Sequence, residues 1–280
     1  MERLVEIDYV FADVVPLCHE ELRKHFEPLI LATQALPEVH VLASLTLRIV
    51  RLARATSLLC KDGLTEESRM PMRSATESII NLLYIMYVGP KAEGISYSDL
   101  ARRFNAYGDI EYWKMLDARP KRARDAFKKH KGMSDAEFDT FLAEKKRLSE
   151  EAKSLFRCTP KRWHSLNLVS MARKVRDDAP DFVNHDMADT AFSTFVSANS
   201  ATHGGALSLR SEYKAHGNAP LELVFDDNHI YADVVANEAI WAWKTVAQYY
   251  GKAEVVKKCL NKHMKAAMKQ RYENAPPAID

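Results

Sequence analysis

Arg73 and Glu77 stand four residues apart at the start of an apolar stretch, Met70–Tyr87, MPMRSATESIINLLYIMY. On a helix that spacing puts guanidinium and carboxylate one turn apart on one face. A second stretch, Ser197–Gly205, SANSATHGG, carries Asn199 and His203 just before two glycines. Those glycines read as a helix end, where carbonyl dipoles favour a protonated imidazole and a second backbone or a substrate can come close. Histidine as a proton acceptor with arginine as a phosphate-binding cation suits cleavage of RNA by its own 2′-hydroxyl. The structural counterparts of these readings are a C-capping histidine and a buried Arg73–Glu77 ion pair.

Helices must position these residues. The 280-residue chain has 47% apolar residues and only 9 glycines, with almost no period-two alternation, so the fold class is an all-α multi-helix bundle. Pro16 suits the first turn of a helix to about Ala35. Pro37 opens a second helix, to about Lys61 and Asp62-Gly63. A third starts near Thr65 and ends at Gly89-Pro90. Arg48, Arg51 and Arg54 recur on one face of the second, at the edge of the core or toward Glu77.

An aromatic helix from Ser96 or Ser98 to about Ala118 follows, and Ser134-Asp-Ala-Glu137 is a capping box. Segment 119–157 is highly charged with a sparse apolar stripe, which predicts a protruding helical hairpin on a single domain, 1–280, whose core is about 1–118 and 158–272. Leu221–Phe225 is the one plausible strand. Ile230–Tyr250 is a strongly apolar helix, either core or the face of a homodimer, and a basic helix, Ala253–Tyr272, closes the chain.

The net charge of +2, from 40 Lys+Arg against 38 Asp+Glu, gives no global case for nucleic acid or membrane binding. The basic stretches Lys114–Lys131 and Val255–Arg271 are solvated faces or the rim of an RNA site. Cys18, Cys60, Cys158 and Cys259 form no CxxC pair, which argues against a zinc ribbon or redox motif and points to reduced thiols in a cytoplasmic protein. The first residues lack the pattern of a signal peptide, and the longest apolar run is too short to span a bilayer. His185-Asp186 with Asp189 and an upstream His164 is a weak HD-type metal pattern that an N-cap at Asp186 explains as well. No P-loop, GxGxxG or HExxH occurs, so neither cofactor nor metal is expected.

Four blocks in order, RSATESIINLLYIMY, LARRFNAYGDIEYWKML, WHSLNLVSMARKV and FVSANSATHGG, resemble those of an uncharacterised bacterial and archaeal helical family, a domain of unknown function. The resemblance spans roughly residues 40–215 and implies an all-α fold without an assigned activity. Ala198-Asn199-Ser200-Ala201-Thr202-His203 more distantly resembles the R-N-x-x-x-H pattern of HEPN domains, helical bundles that are often metal-independent RNases. Ala198 stands where the arginine belongs. The likeness implies an RNase of a phage-defence or toxin–antitoxin type, with His203 as base, Arg73 as substitute cation, Glu77 orienting either, and Asn199 from the motif. The alternative is a non-catalytic sensor or assembly module using the same cleft.

Overall fold

The computed structural model describes residues 10–156, 162–178, 180–183 and 230–274, and every regular element among them is helical. In chain order these are α1 (Val10–Thr33), α2 (Pro37–Lys61), α3 (Thr65–Leu83), a π-helical turn (Tyr84–Val88) and α4 (Gly89–Glu93). Then follow α5 (Tyr97–Asp117), α6 (Lys121–His130), α7 (Asp135–Lys153), α8 (Leu168–Asp178), α9 (Ile230–Tyr249) and α10 (Ala253–Asn274). The expected strand at Leu221–Phe225 lies outside the described residues.

The punctuation of the sequence sets most boundaries. Pro37 occupies the first turn of α2, where its missing N–H costs nothing, and Gly63 leaves the helix with φ 74°. Ser96 accepts from the Asp99 N–H to cap α5, and the Ser134–Glu137 capping box opens α7. Two expectations fail at prolines. Pro16 does not start a helix: it lies inside α1, with Pro28 further along. An interior proline removes one ladder bond, but Val14, Val15, Cys18, Leu22 and Phe26 form one buried stripe on both sides of Pro16. That continuous burial keeps the helix whole.

The other departure is at Gly89-Pro90, which does not end the third helix. The chain widens into the π turn, in which the Gly89 N–H donates to the Tyr84 carbonyl, and then resumes as α4 with Pro90 in its first turn. The wider turn accommodates a proline that lacks an N–H. Gly89 is required by crowding: a Cβ there would lie 2.6 Å from Leu100 Cδ1 and 3.0 Å from the Tyr84 carbonyl oxygen. Gly94, at φ 63°, is the true stop.

α9 is central. It packs on α1, α2, α3 and α10, and Val234, Val235, Ala239, Trp241, Trp243 and Val246 are buried. Its apolar faces are therefore consumed within the chain, which makes it core, the first of the two roles its composition allowed. The charged segment is peripheral. α7 lies on α5, where Ala106, Ile110 and Ala152 make a small separate cluster, and α6 has no buried residue. Arg147 pairs with Glu144 and Glu151, and Lys153 with Glu150; such exposed pairs contribute little to stability. Among the described residues no helix is long and apolar enough to cross a membrane.

Candidate functional site

α3 holds the residues with chemical potential, and its polar side chains fall into two rows. One row faces α9. Arg69 Nε donates to the Tyr231 hydroxyl at 2.9 Å, with its guanidinium 5.4 Å from that ring's centroid. Two turns on, the Thr76 hydroxyl donates to Glu238 Oε1 at 2.6 Å. Beyond the π turn's middle, Tyr87 donates to Gln248 Oε1 at 2.7 Å. Partner numbers rise together along both helices, so α3 and α9 run in the same direction.

Glu238 is fully buried, and burial pushes its carboxyl up to about 8 against the partial relief of the Thr76 hydrogen bond. It is therefore a neutral carboxylic acid at pH 7. Its second oxygen, Oε2, is buried with no hydrogen-bond partner among the described residues. Sequence reasoning missed it. The available signal was an acid inside the apolar run IYADVVANEAIWAWKTV, and nothing in that run names Thr76 as the acid's partner.

The second row is Arg73, Glu77 and Asn81, at i, i+4 and i+8. Arg73 and Glu77 are both half-buried, and no ion pair joins them. Asn81 links the row to the Trp163-His164 segment. Its Nδ2 donates back to the Glu77 carbonyl at 2.8 Å, and its Oδ1 accepts from Trp163 Nε1 at 2.9 Å. Arg48, Arg51 and Arg54 are exposed on α2, so none of them reaches Glu77 inside the bundle.

His164 continues this polar strip past the π turn. Glu93 Oε1 accepts from the Tyr84 hydroxyl and from His164 Nε2, each at 2.6 Å. The Leu166 N–H donates to His164 Nδ1 at 3.0 Å, so Nδ1 is the acceptor and Nε2 carries the proton. A histidine beside a carboxylate is the pairing a general base needs. Here both ring nitrogens are already occupied and the side chain is buried, so the group clamps the 162–168 segment onto the π turn. Burial, reinforced by Glu93, raises the Tyr84 hydroxyl well above its ordinary value. His164 is thereby withdrawn from the HD-type pattern, whose other members, His185, Asp186 and Asp189, lie outside the described residues.

Asn199 and His203 also lie outside the described residues, so of the four sequence-derived site residues the structure places Arg73 and Glu77. The long basic stretches present a solvated face: Lys257, Lys258, Lys262 and Lys265 of α10 are all exposed.

A family model described as a family of unknown function, DUF5677, matches residues 39–219. No curated protein and no solved structure matches the chain.

Proposed function

Since the chain belongs to DUF5677, a family of unknown function, we propose from its residues that it is a HEPN-like, metal-independent RNase, acting in phage defence or as a toxin. One observation carries the reading. Arg73 and Glu77 sit half-buried on a single face of α3, as an RNA-cleaving site needs of a cation and its orienting acid, in the same matched span that contains Asn199 and His203. In the reaction the RNA 2′-hydroxyl attacks the adjacent phosphorus as His203 takes its proton. The bond to the 5′-oxygen breaks, leaving a 2′,3′-cyclic phosphate and a 5′-hydroxyl that regains a proton. Arg73 meets the charge on the phosphorane oxygens and stands in for the arginine absent at Ala198. Glu77 orients Arg73 or His203, and Asn199 completes the motif. RNA is the partner, a cytoplasmic setting fits the reduced thiols, and a homodimer would need a face other than that of α9.

The test uses purified chain and a labelled single-stranded RNA. His203→Ala and Arg73→Ala should each lose at least ~10²-fold in cleavage rate while keeping the wild-type helical circular dichroism. Full activity in both variants sinks the assignment.

The second reading, a non-catalytic sensor or assembly module, is favoured by how far both rows of α3 are committed to packing, through Thr76–Glu238 in one and Asn81–Trp163 in the other. It predicts no cleavage at any enzyme concentration and a lowered melting temperature for Arg73→Ala.

A further inference from the structure

Cys18 and Cys259 are separated by most of the chain, yet α1 and α10 pack together and bring them into contact. Cys259 Sγ lies 3.8 Å from the Cys18 carbonyl oxygen, and both thiols are buried, at 2% exposure each. His263 follows Cys259 by one turn of α10. The two sulfurs and an imidazole nitrogen of His263 all lie within 4.8 Å of one another. A tetrahedral Zn²⁺, with Zn–S about 2.3 Å and Zn–N about 2.0 Å, spaces its ligand atoms roughly 3.5–3.8 Å apart. Side-chain adjustments below an ångström or so would close the three atoms on one ion.

Glu21, one turn along α1 from Cys18, supplies the outer contact such a ligand set uses. Its Oε2 accepts from His263 Nε2 at 3.0 Å and from Lys262 Nζ at 2.6 Å. With its Nε2 proton held by a carboxylate, the neutral ring keeps its lone pair on Nδ1 for a metal, the histidine–carboxylate arrangement that orients imidazole ligands. His263 keeps 17% of its side chain exposed, which gives solvent access to a fourth position. Two thiolates and an imidazole favour borderline-soft divalent ions, Zn²⁺ foremost, over Mg²⁺ or Ca²⁺.

We propose that Cys18, Cys259 and His263 bind a single Zn²⁺-type ion, with Glu21 holding His263 in position, and that the ion ties the first described helix to the last. Each thiol releases its proton as its sulfur binds the metal, and the imidazole binds through a lone pair. All three ligands lie outside residues 39–219, so the site is separate from the RNA-cleavage reading.

The experiment takes the full chain, reduced and stripped of metal with a chelator, and adds Co²⁺ as a spectroscopic substitute. The expected result is uptake of a single Co²⁺ with intense thiolate-to-cobalt absorption, displaced by Zn²⁺, and a melting temperature raised by either ion. Cys18→Ser and Cys259→Ser should abolish the absorption, His263→Gln should weaken binding by ~10-fold or more, and Cys60→Ser should leave it unchanged. If a cysteine variant fails to fold, the half-exposed Glu21→Gln supplies the reading, with binding expected to fall by ~10–100-fold. The proposal is overturned by the absence of charge-transfer absorption in reduced wild-type chain. It is equally overturned if the band survives in Cys18→Ser, or if Cys18 and Cys259 are joined as a disulfide in the freshly isolated protein.

Discussion

Thr76 and Glu238 meet through a 2.6 Å hydrogen bond between two helices that run side by side in the same direction, one from the first third of the chain and one from the last. A carboxyl at that position is tolerated because it is protonated, and this has a measurable price in pH.

Glu238 ionises near its ordinary value of 4.5 in the unfolded chain and at about 8 in the folded one. The folded state therefore holds the proton more tightly. The contribution is fully favourable below about 4.5 and is lost progressively as pH rises through about 8. Glu238→Gln keeps an acceptor for Thr76 and removes the ionisation. Urea unfolding should show the variant gaining on wild type by about 3–4 kcal/mol between pH 5 and pH 8, on top of a pH-independent cost of about 1–3 kcal/mol for a buried amide N–H without a partner. Parallel pH profiles for the two proteins would contradict a neutral Glu238.

Gly89→Ala tests the crowded exit from the π turn. The new methyl group would meet Leu100 Cδ1 and the Tyr84 carbonyl, so a loss of about 1–3 kcal/mol is expected. Trimming the neighbour should recover part of it. In a double-mutant cycle with Leu100→Ala, the two losses should combine to less than their sum, and strict additivity would show that the contact is not the cause.

Glu93→Ala strips the shared acceptor from Tyr84 and His164, both buried. Only the long 3.4 Å contact between the Tyr84 hydroxyl and His164 Nε2 then remains to them, and stability should fall by roughly 1–3 kcal/mol. Nitrogen-15 NMR of the imidazole should report the Nε2–H form of His164 in the wild type. The opposite tautomer would refute the role given to the Leu166 N–H.

Trp163→Phe keeps an aromatic ring against Tyr84 and Phe104 but removes the Nε1–H that satisfies Asn81. A loss of about 1–3 kcal/mol is expected from the orphaned amide oxygen together with the smaller ring. Asn81→Leu in the same background should cost less than it does alone, as thermal unfolding of the four proteins would show.

Helix positions were the most legible part of the sequence, because apolar spacing and punctuation act locally. Pro37, Gly63, Ser96 and the Ser134–Glu137 box mark their elements where the chain places them. Local reading failed where a distant contact decides. Pro16 stays helical because a long buried stripe surrounds it, and Gly89-Pro90 is passed because a π turn absorbs it. Arg73 and Glu77 were legible from spacing as neighbours on one face, but spacing could not tell whether they pair with each other. The cysteines show the limit most clearly. Their separation along the chain argues against a zinc ribbon or redox motif, and only the packing of α1 on α10 brings Cys18 to Cys259 and His263.

The central position of α9 also has a consequence for how the protein is made. α2 and α3 leave the ribosome long before the helix that covers them, so the nascent chain carries an uncovered apolar groove while well over a hundred further residues are added. Such a chain is exposed to mispairing and to chaperone capture during synthesis. A truncation ending at residue 219 should keep helical circular dichroism yet bind hydrophobic dyes and aggregate. Supplying residues 230–274 as a separate peptide should restore solubility, since it provides the missing wall of the core.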